Sequence, residues 1–276
     1  MPFAPKLPAH GAEIPAIGFG TSGMGDVRAE HIATALQAGY RHIDSAWKYG
    51  TERAVGEGMR ASGVPRSEVF LCTKVSHEYL HAADFARSVD ESLEKLGVDY
   101  VDLLLVHWPE KNTPLAETMG ALAKAKRQGL TRHIGVANFN IAMLDEAIRL
   151  CPEPMVTLQV ECHPYLDQSK VIAACRERGL VLTAYCPLAR GGLVNDPVLA
   201  EIAKRTGKTF AQVALRWLMQ QDIIAAIPRS SNPVRIAQNI DVFDFELSDD
   251  DMRRIGALKK PNGRIANPHG RAPVWD

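Results

Sequence analysis

Eight short apolar runs alternate with longer amphipathic stretches along the chain. The runs are PAIGFGT, YRHIDSA, EVFLCTKV, DYVDLLLVHW, HIGVAN, MVTLQVE, LVLTAYCPL and IIAAIP. In the stretch after the third run, Phe85, Val89, Leu93 and Leu96 recur at helical spacing and share one face. Near-continuous apolar strands, each followed by an amphipathic helix, are typical of a parallel sheet covered by helices. The pattern therefore predicts eight strand–helix units.

Eight such units without a linker between them favour one closed barrel over an open, doubly wound sheet. We therefore predict a single domain spanning residues 1–276 with the (β/α)8 TIM-barrel fold. In barrels of this kind the chemistry lies at the carboxyl ends of the strands. Polar side chains that follow the apolar runs are accordingly the candidate functional residues.

Composition and charge exclude several classes of protein. The 276 residues carry 32 basic and 32 acidic side chains, and this zero formal net charge argues against nucleic acid binding and a polybasic membrane surface. No apolar run reaches the length of about 18 residues that predicts a membrane-spanning helix. Residues 1–15 lack the apolar core of a signal peptide, and five scattered cysteines indicate reduced thiols. We expect a cytoplasmic protein for which a monomer suffices.

Residues 18–23 read GFGTSG, the G-x-G-x-x-G spacing of a Rossmann dinucleotide-binding turn, and Asp44 follows about where the ribose-binding acid would lie. A Rossmann turn needs its helix to begin within the motif. Here the helical pattern begins only near Arg28, after a loop that contains Gly25. We expect these glycines instead to end the first barrel strand, where the backbone can approach a bound ligand.

A second motif, HEYLH at residues 77–81, matches the H-E-x-x-H pattern of zinc hydrolases. In those enzymes the two histidines lie one turn apart on a helix, and the glutamate acts as the base. Here the motif begins three residues after Lys74, and the apolar helical face starts only near Phe85. We expect no bound metal, and a zinc hydrolase that uses His77, Glu78 and His81 is an alternative.

Three neighbouring predicted strands deliver titratable side chains to one end of the barrel. The second run contains Asp44 and is followed by Tyr49, the third ends near Lys74, and the fourth near His107. A nearby ammonium lowers the pKa of a phenol, so Lys74, held charged by Asp44, would make Tyr49 a better proton donor. His107 would donate a second hydrogen bond to a carbonyl oxygen. The set predicts general acid–base chemistry on a carbonyl group.

Six segments give the chain a strong resemblance to the aldo-keto reductase superfamily over essentially its whole length. They are GYRHIDSAWKYGTE, LGVDYVDLLLVHWP, RHIGVANF, LQVECHPYL, TAYCPLARGG and IPRSSNPVRIAQN. The resemblance implies a catalytic tetrad of Asp44, Tyr49, Lys74 and His107, with Tyr49 as proton donor and hydride transfer from NADPH to an aldehyde or ketone. The short polar tail NGRIANPHGRAPVWD resembles that of the small prokaryotic members called 2,5-diketogluconate reductases. A non-catalytic NADP-binding barrel that serves another protein is the alternative within the family.

The resemblance also implies a site for NADP(H). Tyr185 would stack on the nicotinamide, and Asn138 and Gln159 would bind its carboxamide. Two arginines beside hydroxyls at a helix N-terminus form a phosphate site, and in the family this segment binds the adenosine 2′-phosphate and the adenine. Its residues are Arg229, Ser230, Ser231, Asn232, Arg235, Gln238 and Asn239. The other expected cofactor-binding residues are Gly20, Thr21, Pro187, Leu188, Arg190 and Gly191.

A few positions depart from the family pattern. Ala137 and Cys186 replace serines that members usually carry, Arg229 stands where lysine is common, and Ser76 stands where an aromatic residue is common. We expect a substrate pocket that is more open or more polar beside Ser76. The expected pocket walls are Phe19, Trp47 and Trp108. The expected substrates are small-molecule carbonyl compounds: keto-sugar acids, dicarbonyls of the methylglyoxal type and β-keto esters.

Overall fold

A computed structural model describes residues 4–23 and 27–276, so residues 24–26 of the loop predicted after GFGTSG lie outside the described part. The strands are β1 (Lys6–Ala9), β2 (Ala12–Pro15), β3 (Phe19–Gly20), β4 (His42–Asp44), β5 (Phe70–Val75), β6 (Val101–Val106), β7 (Thr131–Ala137), β8 (Met155–Glu161), β9 (Val181–Tyr185) and β10 (Ile224–Ala226). The helices are α1 (Ala29–Gln37), α2 (Glu52–Ser62), α3 (Ala82–Leu96), α4 (Leu115–Arg127), α5 (Ile141–Leu150), α6 (Ser169–Glu177), α7 (Pro197–Thr206), α8 (Phe210–Met219), α9 (Pro233–Ile240) and α10 (Asp249–Gly256). Each predicted apolar run overlaps one of the strands β3 to β10, and at least one helix follows each of these strands.

The strands β3 to β10 are parallel and pair in chain order to make a barrel. The barrel closes between its first and last strands, because Gly18 N donates to Ala226 O at 2.8 Å and Gly20 N donates to Pro228 O at 3.0 Å. A Cβ on Gly20 would stand 2.8 Å from Ile227 O, so this close approach requires glycine. The predicted barrel fold is confirmed, and the GFGTSG glycines help to close it.

Alternation along the strands decides which side chains face the barrel interior. On β6, Leu103 and Leu105 belong to the interior apolar cluster, whereas Leu104 and Val106 pack in the layer beneath the helices. An antiparallel hairpin of β1 and β2, which the sequence pattern did not predict, adds Ile14 to the interior cluster. The interior is thus filled with apolar side chains on the side of this hairpin, and polar side chains lie at the opposite, carboxyl end.

Capping side chains fix the ends of several helices. Asn232 caps α9 because its side-chain oxygen accepts hydrogen bonds from Val234 N and Arg235 N. Ser248 caps α10, a helix that the sequence pattern did not predict. Among the described residues, no helix is long and apolar enough to cross a membrane.

Candidate active site

A buried ion pair lies at the carboxyl end of the barrel. Lys74, near the end of β5, is 0% exposed, and its Nζ lies 2.6 Å from Asp44 Oδ1, at the end of β4. The same Nζ donates to Ser45 O at 2.7 Å, and Gln159 Nε2 donates to Asp44 Oδ2 at 2.8 Å. Burial acts to lower the pKa of Lys74, but the Asp44 carboxylate and its neighbours outweigh this effect and raise it. Lys74 is therefore a charged ammonium held in a dry environment.

Tyr49 lies directly beside this pair. It belongs to a single helical turn, Trp47–Tyr49, which ends at Gly50 in the left-handed conformation with φ 68°. Its ring centroid is 5.1 Å from Lys74 Nζ and 5.4 Å from the His107 ring, at an interplanar angle of 81°. As expected, the positive charge of Lys74 acts to lower the pKa of Tyr49. Burial is the larger effect and raises the pKa overall, so the phenol keeps its proton.

His107 follows β6 and faces the same space. Burial lowers its pKa well below the usual range, and the positive charges of Lys74 and Arg271 act in the same direction. The imidazole is therefore neutral near pH 7, and a neutral ring can donate one hydrogen bond. The backbone oxygen of His107 accepts a hydrogen bond from Asn138 Nδ2 at 2.8 Å, which links β6 to the end of β7.

Two further predicted residues are bound to each other at the ends of β7 and β9. Asn138 adopts the left-handed conformation with φ 64°, which is uncommon for a residue other than glycine. Tyr185 OH donates to Asn138 Oδ1 at 2.7 Å. This bond fixes the direction of the Asn138 amide and places the Tyr185 side chain along the cleft described next.

An open cleft of about 1180 Å³ lies above these residues. The predicted residues that line it are Gly20, Asp44, Tyr49, His107, Trp108, Asn138, Gln159, Tyr185, Pro187, Leu188, Arg190, Gly191, Arg229, Ser230, Ser231, Arg235, Gln238 and Asn239. Lys74 lies beneath the floor of the cleft, in contact with Asp44. Residues that are far apart in sequence are thus brought to one surface by the barrel.

Besides Lys74, four predicted residues do not line the cleft. Phe19 is buried and packs edge-on against Tyr40, because its side chain points outward from the barrel toward the helix layer. Trp47 packs edge-on against Tyr79 and donates from Nε1 to Glu91. The remaining two have other partners. Thr21 Oγ1 lies 3.0 Å from Thr51 Oγ1, and Asn232 caps α9.

The N-terminus of α9 carries the predicted phosphate-binding segment. Ser230 Oγ accepts from Asn232 N at 3.1 Å, so the loop before the helix is ordered by its own side chains. A Cβ on Gly23 would stand 2.9 Å from the Arg229 guanidinium, so the end of the GFGTSG segment lies against that arginine. Asn232 already accepts hydrogen bonds from Val234 N and Arg235 N, so an anion there would be bound by the arginine side chains and the positive end of the α9 dipole.

The HEYLH segment does not form the helical arrangement that zinc hydrolases require. His77 and Glu78 lie in a single helical turn, and α3 begins only after His81. Glu78 binds Lys48 at 2.7 Å, and His81 Nδ1 faces Glu117 at 3.3 Å. Within residues 4–23 and 27–276, no group of three His, Cys, Asp or Glu side chains is arranged to hold a metal ion. These contacts do not favour the zinc alternative.

Sequence reasoning missed several parts of the cleft. The C-terminal tail, defined here as residues 261–276, contributes Ile265, Ala266, Asn267, Pro268 and Arg271. The other missed lining residues are Ser22, Gly23, Lys48, Cys186, Val194, Thr209, Phe210, Ala211, Ile227 and Pro228. One signal for the tail was present in the sequence: Glu161 is a charged residue at the end of an apolar strand, and it accepts hydrogen bonds from the tail backbone.

The fold and the site together define a barrel enzyme with an acid–base cluster at the floor of a large cleft. Residues 16–260 match the Aldo/keto reductase family. The chain is 41% identical over 267 residues to methylglyoxal reductase DkgB of Escherichia coli O157:H7. The alignment covers 95% of this chain and 99% of that protein. The chain belongs to the aldo/keto reductase family, and it is an oxidoreductase that reduces carbonyl groups with a nicotinamide cofactor.

Solved structures agree with this assignment. The crystal structure of a protein provisionally assigned as 2,5-diketo-D-gluconic acid reductase B has a TM-score of 0.95 and 46% identity, covering 99% of this chain and 98% of that one. The Bombyx mori aldo-keto reductase in complex with NADP has a TM-score of 0.89 and 31% identity, and the match covers 98% of this chain and 96% of that one. These similarities extend over nearly the whole barrel, including the cleft.

Proposed function

We propose that this chain reduces aldehydes and ketones to alcohols with NADPH, and that Tyr49 is the proton donor. The observation that carries the proposal is the position of Tyr49 and His107 at the floor of the cleft, above the buried Lys74–Asp44 pair. A reduction of this kind needs an acid that protonates the carbonyl oxygen as negative charge develops there. A phenol at the floor of the cleft that keeps its proton fits that role.

The residues along the cleft fit a dinucleotide. Tyr185 offers an aromatic face for a nicotinamide ring, and Asn138 and Gln159 offer amide groups beside it. When bound, the nicotinamide supplies the hydride. Asn138 and Gln159 also hold His107 and Asp44 through hydrogen bonds of 2.8 Å each, so the same two amides connect the cofactor side of the cleft to the acid–base cluster.

Tyr49, His107 and Lys74 have separate roles in this mechanism. Tyr49 OH donates its proton to the substrate oxygen while the carbonyl carbon accepts the hydride, so that an alcohol and a Tyr49 phenolate result. The Lys74 ammonium stabilises that phenolate, and Asp44 keeps Lys74 charged. The neutral His107 donates a hydrogen bond that orients the carbonyl oxygen. The phenolate then recovers a proton from solvent before the next turnover.

The preference for NADPH over NADH rests on the segment around α9. Arg229 and Arg235 line the cleft together with Ser230 and Ser231 at the N-terminus of this helix. A phosphate at a helix N-terminus with arginines beside it is a stabilising arrangement. NADPH carries the adenosine 2′-phosphate that NADH lacks, so we assign these residues to its recognition.

Substitution of Tyr49 by Phe tests the proton-donor role. The variant should lose about a hundred- to ten-thousandfold in kcat, because it removes the acid while leaving the ring in place. Cofactor oxidation is followed with methylglyoxal, a β-keto ester and a keto-sugar acid, and NADPH binding is measured by fluorescence titration. Binding should change little, since the Tyr49 hydroxyl is assigned to the carbonyl oxygen.

The matched control is Tyr100→Phe. The Tyr100 hydroxyl accepts a hydrogen bond from Arg132, and Tyr100 does not line the cleft. The substitution removes the same hydroxyl group as Tyr49→Phe does. It should keep wild-type activity. A Tyr49→Phe variant with wild-type kcat would show that the proton comes from another group.

A further inference from the structure

The C-terminal tail is held against the barrel at its first residues. The Glu161 carboxylate, at the end of β8, accepts hydrogen bonds from Ile265 N at 2.8 Å and Ala266 N at 2.7 Å. His163 Nε2 lies 2.8 Å from the same carboxylate. Burial acts to raise the pKa of Glu161, but the hydrogen bonds from His163, Ile265 and Ala266 hold it below the usual range. This anchor is therefore an ionised carboxylate, whose hydrogen bonds are strong ones.

The tail is also held at its last residues. The Trp275 ring packs edge-on against Trp108 at 6.3 Å, and the Arg264 guanidinium lies 3.7 Å from the Trp275 ring centroid. The Asp276 carboxylate accepts a hydrogen bond from Ile141 N at 3.0 Å, at the start of α5. The stretch between the two anchors is therefore held at both ends, and Asn267, Pro268 and Arg271 within it line the cleft.

Arg271 lies in this stretch and lines the cleft. It is half-buried, and among the described residues its guanidinium forms no ion pair and no hydrogen bond. Its positive charge lowers the pKa of both His107 and His77, so it acts on the part of the cleft that contains the acid–base cluster. Lys48, another cation of the cleft wall, is neutralised by Glu78 at 2.7 Å.

We propose that Arg271 binds a carboxylate on the substrate, so that the preferred substrates are aldehydes and ketones that carry a carboxylate group. This inference rests on the proposed carbonyl reduction. A guanidinium binds a carboxylate with two parallel hydrogen bonds. One unpaired guanidinium matches one singly charged carboxylate, whereas a phosphate dianion would call for a second unpaired cation beside it. The two anchors hold the tail in place before the substrate arrives, which lowers the entropic cost of binding.

A matched pair of substrates separates this role from general reactivity. Succinic semialdehyde carries a free carboxylate, and its methyl ester presents the same aldehyde without the charge. With NADPH, the wild-type ratio of kcat/KM values, acid over ester, should fall about ten- to hundredfold in Arg271→Met, because a charged hydrogen-bonded contact is lost. Arg271→Lys should give an intermediate ratio, since it keeps the charge and loses the planar fork.

Two controls accompany this measurement. Arg149→Gln removes a charge from an exposed arginine on α5 and should leave the ratio at the wild-type value. NADPH affinity is measured for every variant. A ratio that stays at the wild-type value in Arg271→Met would overturn the proposal. So would an equal fall in kcat/KM for the acid and the ester together with a loss of NADPH affinity, because Arg271 would then be a cofactor-binding residue.

Failure of the proposed function gives a different result. If neither the acid nor the ester is reduced, the reductase assignment fails, and the carboxylate site is tested by calorimetric titration of succinic semialdehyde into protein that contains NADP⁺. Binding by the wild type that weakens about tenfold or more in Arg271→Met would support the site without turnover. Equal affinity in the two proteins, or no binding by the wild type, would contradict it.

Discussion

Lys74 and Tyr49 show how opposing effects act on single residues of the site. Burial alone favours a neutral Lys74, and the Asp44 carboxylate at 2.6 Å reverses this preference. Burial also keeps Tyr49 protonated against the attraction of Lys74. Both outcomes suit the proposed reaction, because a proton donor must start protonated and the phenolate it leaves needs a fixed positive charge. If the same three side chains were exposed to water, neither effect of burial would be present.

Arg235 gives a test of cofactor choice at the scale of one residue. In Arg235→Met we expect the dissociation constant for NADPH to rise about ten- to hundredfold, as for the loss of one charged hydrogen-bonded contact. The NADH constant should change far less, because NADH has no 2′-phosphate. Both are measured by fluorescence titration, with Arg253→Met, an exposed arginine on α10, as the control. Equal weakening of both cofactors would remove the 2′-phosphate role.

Several site residues were predictable because strand geometry is regular. Asp44, Lys74 and His107 follow apolar runs, and the carboxyl ends of parallel strands meet at one end of a barrel. The pocket role expected for Phe19 rested on sequence proximity to the site, whereas alternation along β3 directs its ring outward. Arg271 lies in a polar tail without periodicity, so only the tertiary contacts of that tail place it at the cleft.

At the scale of elements, the sequence pattern predicted the strands and helices of the barrel but not the β1–β2 hairpin or α10. The long helices present apolar stripes at helical spacing, and the strands are nearly all apolar. The β1–β2 hairpin has four-residue strands with two prolines, so its pattern is too short to recognise. The α10 sequence DDDMRRIG offers few apolar positions and is identifiable mainly by its cap at Ser248.

The Glu161 side chain holds the first part of the C-terminal tail. In Glu161→Gln, the amide keeps at most one acceptor oxygen for the two tail N–H groups and places a donor beside the other. We expect faster hydrogen exchange at Ile265 and Ala266 and a higher KM for carbonyl substrates, because the tail forms part of the cleft wall. Hydrogen exchange with mass spectrometry checks the first effect and steady-state kinetics the second.

The matched control for the tail is Glu177→Gln. Glu177 is an exposed carboxylate at the end of α6, away from the tail, and its loss should affect neither measurement. Unchanged exchange at residues 265–266 in Glu161→Gln would show that other contacts suffice to hold the tail.

At the scale of the whole molecule, the barrel brings together groups that are distant in sequence. Gly20, near the start, and Arg229, after the last strand, line the same cleft, because closure places β3 beside β10. The sequence alone predicted this proximity once eight strand–helix units had been counted. It did not predict the cleft's outer wall, since that wall is built by loops and by the tail, whose conformations depend on contacts rather than on periodicity.

Two histidines with lowered pKa values predict how stability depends on pH. Burial lowers the pKa of His42 and of His107, so both are neutral in the native state. Below about pH 6.5 the unfolded chain binds protons that the native chain does not, and the free energy of unfolding falls by up to about 1.4 kcal/mol per pH unit for each histidine. This stability is fully present above pH 6.5 and is lost as the pH falls toward the native pKa values. The depressed pKa of Glu161 acts in a separate, more acidic range.

His42→Leu isolates one part of this effect. Urea unfolding at pH 7.5 and pH 5.5 should show a smaller loss of stability in the variant than in the wild type, by up to about 1.4 kcal/mol, because one titrating group is gone. Any packing cost of the substitution is common to both pH values and cancels in the difference. Phe70→Leu is the control, because it removes the ring that packs against His42 at 5.2 Å but leaves the histidine in place. An identical pH dependence in His42→Leu and the wild type would mean that His42 binds protons equally well in the folded and unfolded chains, so that burial does not lower its pKa.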